Sequence, residues 1–191
     1  MVAATRALLA EGVVSPTVEL AADRALVSRT TAYRYFPNQH ALLLAAFPEL
    51  DAPSLLGEDP PSGALERLEN VCRYVARQVV EHEPELRAML RMSLEQGQGS
   101  KEAIPLRGGR VLRWVEDALA PVRGRFSTAE LRRLALAIRA TVGIEAFVWL
   151  TDVGRVSATQ ASSLMCSSAQ AILRCALLDA GIDDEGRKLR Q

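Results

Sequence analysis

The residues best suited to chemistry in this chain lie close together near its start. Between Ser28 and Phe36 it reads Ser-Arg-Thr-Thr-Ala-Tyr-Arg-Tyr-Phe. Wound as a helix at about 100° per residue, this stretch sets Ala32 and Phe36 on one face, fit to pack on Leu20 and Ala21 of a preceding helix. Thr30, Tyr33 and Arg34 take the opposite face, and Arg29 falls in the first turn. Guanidinium, hydroxyl and phenol groups are donors for phosphate oxygens and base edges, and no carboxylate in the stretch repels a polyanion. The chemistry this predicts is recognition of double-stranded DNA. From spacing alone, a capped surface helix with a buried aromatic end fits equally well.

Other chemistry is poorly provided for. The two histidines, His40 and His82, stand in neither H-E-x-x-H nor near G-x-S-x-G, and no phosphate loop or dinucleotide fingerprint occurs. An enzyme is not expected, and neither is a cofactor. The three cysteines, Cys72, Cys166 and Cys175, form no C-x-x-C, so neither a disulfide framework nor a metal site is predicted.

The elements that must position these residues are helical. Apolar residues recur at three and four positions almost everywhere, and no stretch alternates long enough for a strand. The expected helices are Ala4–Glu11 closed by Gly12, one from Ser15-Pro16-Thr17 to about Arg24, Ser28–Tyr35, and Gln39–Phe47. Prolines at 48, 53, 60 and 61 then mark a linker over 48–63. Residues 64–182 read as a second domain of longer helices: 64–83, 84–94 with Leu86, Met89, Leu90 and Leu94 inward, 109–120, 128–152 and 157–180. The charged tail 183–191 is expected to fray. With 23 basic and 23 acidic residues, bulk charge cannot drive polyanion binding. Leu134–Leu150 is interrupted by Arg139, Thr141 and Glu145 and falls short of an uncharged membrane span. A cytoplasmic protein without membrane contact is the expectation.

Thr17-Val18-Glu19-Leu20-Ala21, Ala25 through Asn38, and Ala41-Leu42-Leu43 resemble the DNA-binding domain of the tetracycline-repressor-like (TetR) family, over residues 4–47. The resemblance implies an N-terminal three-helix helix-turn-helix domain and a C-terminal helical bundle for ligand binding and dimerisation. It also implies a ligand-responsive homodimeric regulator, usually a repressor, on a palindromic operator. Carried over, Ser28 opens the recognition helix, Arg29 and Thr30 meet base edges, and Thr17, Thr31, Tyr33 and Tyr35 hold phosphates. Gln39 stands where the family commonly has a phosphate-binding lysine. Leu26 replaces the usual turn glycine, which costs on the order of 1 kcal/mol if the position needs a positive φ. The family's basic arm has no counterpart in Met1–Ala3. Residues 1–47 carry four arginines against three acids, a net of +1, so non-specific affinity should be weak.

In the C-terminal half, the segment from Leu134 to Leu150 is apolar nearly all round, and the last helix is rich in Ala and Ser. Together they predict a homodimer through roughly residues 128–178. A cavity for an unknown small-molecule effector is expected among Cys72, Tyr74, Met89, Met92, Trp114, Glu145, Phe147 and Trp149, although each singly is more commonly core. Glu145 is the sole carboxylate of its run. Arg139, six positions earlier, falls on another face of a continuous helix, which leaves a dimer partner or a ligand donor for Glu145. The arginines of 107–133 read as a solvated face. An all-helical ligand-binding or scaffold dimer with weakened DNA binding is the alternative.

Overall fold

A computed structural model describes residues 1–13, 16–46, 54–95 and 109–188, except for the side chains of His40, Leu44, Ala88, Met92, Ser93 and Glu95. Among these residues the fold is all-α, with ten α-helices and no strand. Contacts divide the chain into two compact units, Met1–Ala52 with His82–Gly108, and Pro53–Glu81 with Gly109–Gln191.

The first unit begins with α1 (Val2–Ala10), α2 (Val18–Arg24), α3 (Arg29–Tyr35) and α4 (Gln39–Ala46). Thr17 caps α2, its Oγ1 accepting the Leu20 N–H at 3.1 Å, and Glu19 complements the dipole in the first turn. Ser28 caps α3, accepting the Thr31 N–H, and Asn38 Oδ1 accepts the Ala41 N–H at 2.8 Å to start α4. The turn that aims α3 is a left-handed helix end. Val27 N–H donates to Ala22 C=O at 2.9 Å and Leu26 N–H to Asp23 C=O at 3.2 Å, with Leu26 at φ +54°. α1 closes in the same way around Gly12 at φ +86°.

The core beneath these helices is Leu8, Val18, Ala21, Ala22, Ala32 and Leu42, with Val27 and Phe36 packed against it. Leu20, expected under Ala32, is 40% exposed. The buried stripe of α2 is Val18, Ala21 and Ala22, spaced by three and four, and Leu20 falls off it.

α5 (Ala64–Glu81) belongs to the second unit, whereas α6 (Glu83–Glu95) returns to the first. Met89 is buried with Leu9, Leu43 and Ala46, and Leu86 packs on that cluster. The expected boundary near residues 48–63 therefore misses a helix that rejoins the N-terminal unit. Leu94, expected inward, is exposed.

The second unit continues with α7 (Arg110–Ala118), a 3-10 segment Ala120–Arg125, α8 (Thr128–Ala140), α9 (Ile144–Val148) running into a π turn over Trp149–Val153, and α10 (Ala158–Asp179). Capping boxes start both long helices, Ser127 with Glu130 and Ser157 with Gln160. α5 and α10 lie antiparallel. Ala64 N–H donates to Asp184 C=O at 2.8 Å, and Gln170 Nε2 donates to Leu65 C=O at 2.8 Å.

Two expectations fail in this unit. The single helix 128–152 is broken at Thr141–Gly143, where Gly143 adopts φ +134° and a Cβ would lie 2.9 Å from an Arg139 nitrogen. The tail does not fray as far as Lys188, because Ile182 is buried and Arg125 Nε donates to Gly186 C=O at 2.7 Å. Ser15, Phe47, the Gly97–Ser100 break and the arginine at 107 lie outside the described residues. By length and composition alone, Thr128–Val153 and Ala158–Asp179 are each long and apolar enough to cross a membrane, a test that the core helix of a soluble protein also passes.

Candidate nucleic-acid interface and apolar groove

α3 buries one residue of its seven, Ala32. Arg29, Thr30, Tyr33, Arg34 and Tyr35 are exposed and Thr31 is half-buried. Such a short helix holds its place through its ends: Ser28 at the start, Phe36 packed on the core at the finish. Ser28 Oγ donates to Thr31 Oγ1 at 2.9 Å, which turns both hydroxyls along the helix. Arg34 stacks its guanidinium over the Tyr35 ring at 5.1 Å, an exposed cation–π pair that extends both side chains together.

Glu19 is the residue that sequence reasoning missed. The Tyr33 phenol donates to its carboxylate, across the gap between α2 and α3. That hydrogen bond holds Glu19 below the usual carboxylate range, helped by its own backbone N–H, the Thr17 hydroxyl and the nearby Arg29 charge. The same bond pushes the Tyr33 phenol up. α3 itself carries no carboxylate, but its neighbour lends one. The only sequence signal was a carboxylate in the first turn of α2, and nothing in linear spacing ties it to a phenol fourteen positions on.

Gln39 does not take the outward place expected of it. It is half-buried, and its Nε2 donates to the Pro16 carbonyl at 3.2 Å, bracing α4 against the entry to α2. Thr17 is exposed, with its hydroxyl engaged at the cap. Leu26 is 94% exposed, so its side chain gains no packing for the left-handed backbone.

The expected ligand pocket is not one site. Met89 belongs to the core of the other unit, and the Met92 side chain lies outside the described residues. Trp114 is buried edge-on to the Tyr74 ring at 5.9 Å between centroids, while Phe147 and Cys72 are core. Glu145 and Trp149 do share a feature, an open groove of about 420 Å³ with Thr141, Leu150, Leu164 and Met165 along its walls. Trp149 is 60% exposed there, where an enclosed wall was expected.

The partner of Glu145 lies within its own segment. Arg139 Nη2 donates to Glu145 Oε2 at 3.2 Å, and Arg139 Nη1 to Val142 C=O at 2.7 Å. The break at Gly143 lets the chain fold back, so two residues that a continuous helix would hold apart now face each other. Among the described residues, no group of three or more His, Cys, Asp or Glu side chains is placed to hold a metal ion. Comparison of the chain with family models, with curated proteins and with solved structures finds no match.

Proposed function

We propose that this chain is a sequence-specific DNA-binding transcriptional regulator of the TetR kind, with α2 and α3 as its helix-turn-helix. One observation carries the reading: α3 spends a single small residue on the core and turns cations, hydroxyls and phenols to solvent. A helix so thinly anchored gains little stability from those side chains, and their chemistry matches phosphate and base edges. Arg29, Thr30 and Arg34 are the base and phosphate contacts in this reading, with Tyr33 and Tyr35 as flanking phosphate donors. Thr17, Ser28 and Thr31 contribute through backbone geometry more than through free hydroxyls, and Gln39 acts by bracing.

The reading includes a homodimer. Leu136, Trp149, Val153, Leu164 and Leu178 on α8, the π turn and α10 are exposed, and only 28% and 33% of the two apolar stretches are buried within one chain. A second protomer on this face gives the symmetry that an inverted repeat requires, with half-sites about 34–36 Å apart or a multiple of that. The Glu145–Trp149 groove is the place for an effector. It regulates only if it binds the two spacings of the recognition helices unequally.

The test is a double substitution, Arg29→Ala with Tyr33→Ala, on DNA enriched from a random pool. Expected are an enriched palindrome, its retention by the wild-type chain in a gel, and loss of retention in the variant at unchanged helical circular dichroism. Retention by the variant overturns the assignment of α3. The second reading, a scaffold or ligand-binding dimer with weakened DNA binding, is favoured by Gln39 turned inward and by Glu19 on the Tyr33 phenol. It predicts no enriched sequence at all.

A further inference from the structure

A second open groove, of about 780 Å³, runs between α8 and α10 and shares no lining residue with the Glu145–Trp149 groove. The two helices are antiparallel along it. Positions 130–137 of α8 face 176–180 of α10, whereas 140–141 face 164–168. The second groove therefore has two unlike ends. Arg125, Glu130 and Arg133 meet Asp179 at one, and Leu134, Ala137 and Ala176 line the other. Two of the four charged groups are fixed from behind. Arg125 Nε donates to the Gly186 carbonyl at 2.7 Å, which leaves both Nη groups uncommitted. Glu130 Oε2 accepts from the Ser127 hydroxyl at 2.7 Å and from the Ser127 N–H at 2.8 Å, which leaves Oε1. Those bonds, with the Arg133 charge alongside, hold Glu130 below the usual carboxylate range, so it stays an anion. Arg133 and Asp179 make no hydrogen bond or ion pair with any described residue.

Two guanidinium groups and two carboxylates at one end select against a plain ion. A simple anion gains the arginines but meets Glu130 and Asp179, and a simple cation meets the reverse. A head group carrying both signs is opposed by neither. Packed helices stand about 8–10 Å apart, so both walls lie within reach of one such head group. An apolar body attached to it falls on Leu134, Ala137 and Ala176. We propose that this groove binds an apolar α-amino acid, with its carboxylate on Arg125 and Arg133, its ammonium on Glu130 and Asp179, and its side chain along the apolar end. The guanidinium groups supply charge-assisted donors for the ligand carboxylate, and the two protein carboxylates accept the ammonium protons.

The site contains no residue of α3, so its test is independent of DNA. The full-length chain is titrated in a calorimeter with L-phenylalanine, and with phenethylamine and hydrocinnamate, which each lack one of its two charges. Expected is saturable binding of L-phenylalanine, with either analogue at least ~10-fold weaker. Two variants then tell the walls apart. Arg133→Gln should weaken L-phenylalanine and hydrocinnamate and spare phenethylamine. Asp179→Asn should weaken L-phenylalanine and phenethylamine and spare hydrocinnamate. Both side chains are exposed, and circular dichroism checks that the helices are kept. No saturation by L-phenylalanine at millimolar concentration, equal binding of the three compounds, or L-phenylalanine binding that survives both variants overturns the proposal.

Discussion

Two outward-facing surfaces of this molecule have opposite chemistry. The outer side of α3 shows Arg29, Thr30, Arg34 and two tyrosines, all hydrated and needing no cover. The outer side of α8, the π turn and α10 shows Leu136, Trp149, Val153, Leu164 and Leu178. Apolar area left in water forgoes roughly 25 cal/mol per Å², so the second surface has a driving force toward any dry partner and the first has none. The difference separates what substitutions do. On α3 they should change binding without touching stability, and on the apolar side they should change association. Only residues beneath either surface should change folding itself.

That separation is sharpest between a residue under the apolar side and one on α3. Phe147 is fully buried and Tyr35 is 66% exposed. Phe147→Ala should cost about 3–5 kcal/mol in urea denaturation, as cavity and transfer terms add. Tyr35→Ala should cost under about 0.5 kcal/mol. Equal costs would mean that α3 is a structural helix and would end the contrast.

Next in size is association. Trp149→Glu with Leu164→Glu puts two charges on the apolar side. If the proposed homodimer forms through this side, sedimentation should show its dissociation strengthened at least ~100-fold, about 2.7 kcal/mol, with helical content kept, and a wild-type chain that is already a monomer would remove the dimer from the reading. A dimer of unchanged strength would place the interface elsewhere.

The sequence displayed helices and caps well because both are local. Ser127 with Glu130, Asn38 before α4 and Gly12 after α1 each act within four residues, and the structure has each in that role. What failed was non-local or depended on one backbone angle. The Arg139–Glu145 pair depends on the break at Gly143, whose φ of +134° no residue count reveals, whereas a continuous helix holds the two residues apart. Periodicity shows that the Met89 face is buried but never against what, and it packs on Leu9, Leu43 and Ala46 of the first unit. The candidate interface was legible as a list of donors. Its one carboxylate, Glu19, was not, since it arrives from the neighbouring helix.

The smaller energetic test compares two left-handed turns. Gly12 and Leu26 do the same job, ending α1 and α2 with the same pair of backbone hydrogen bonds. No atom stands within 4 Å of a Cβ placed on Gly12, and Leu26 is almost wholly exposed, so side-chain packing enters neither comparison. Leu26→Gly should therefore raise stability by about 1 kcal/mol, and Gly12→Ala should lower it by a similar amount. Calorimetry that shows Leu26→Gly destabilising would mean that the side chain restricts the unfolded chain more than it strains the turn.

The finest distinction lies at Glu19 and Tyr33. The Tyr33 hydrogen bond, first among its causes, sets the folded Glu19 pKa below the ordinary 4.5. Glu19 therefore stabilises the α2–α3 pair fully above pH 4.5, and loses that contribution as pH falls through its lower folded value. Tyr33 is shifted the other way, above the ordinary 10.0, so its O–H remains a donor throughout the neutral range. In Glu19→Gln the phenol should ionise at lower pH than in the wild type, read by absorbance at 295 nm. The substitution also removes an anion beside Arg29 and frees the phenol, so gel retention of the selected DNA should rise a few-fold. A fall in retention would reverse the role of Glu19. The carboxylate would then be holding Tyr33 in the pose that meets phosphate, and the acid on the polar surface would belong to the reading head instead of opposing it.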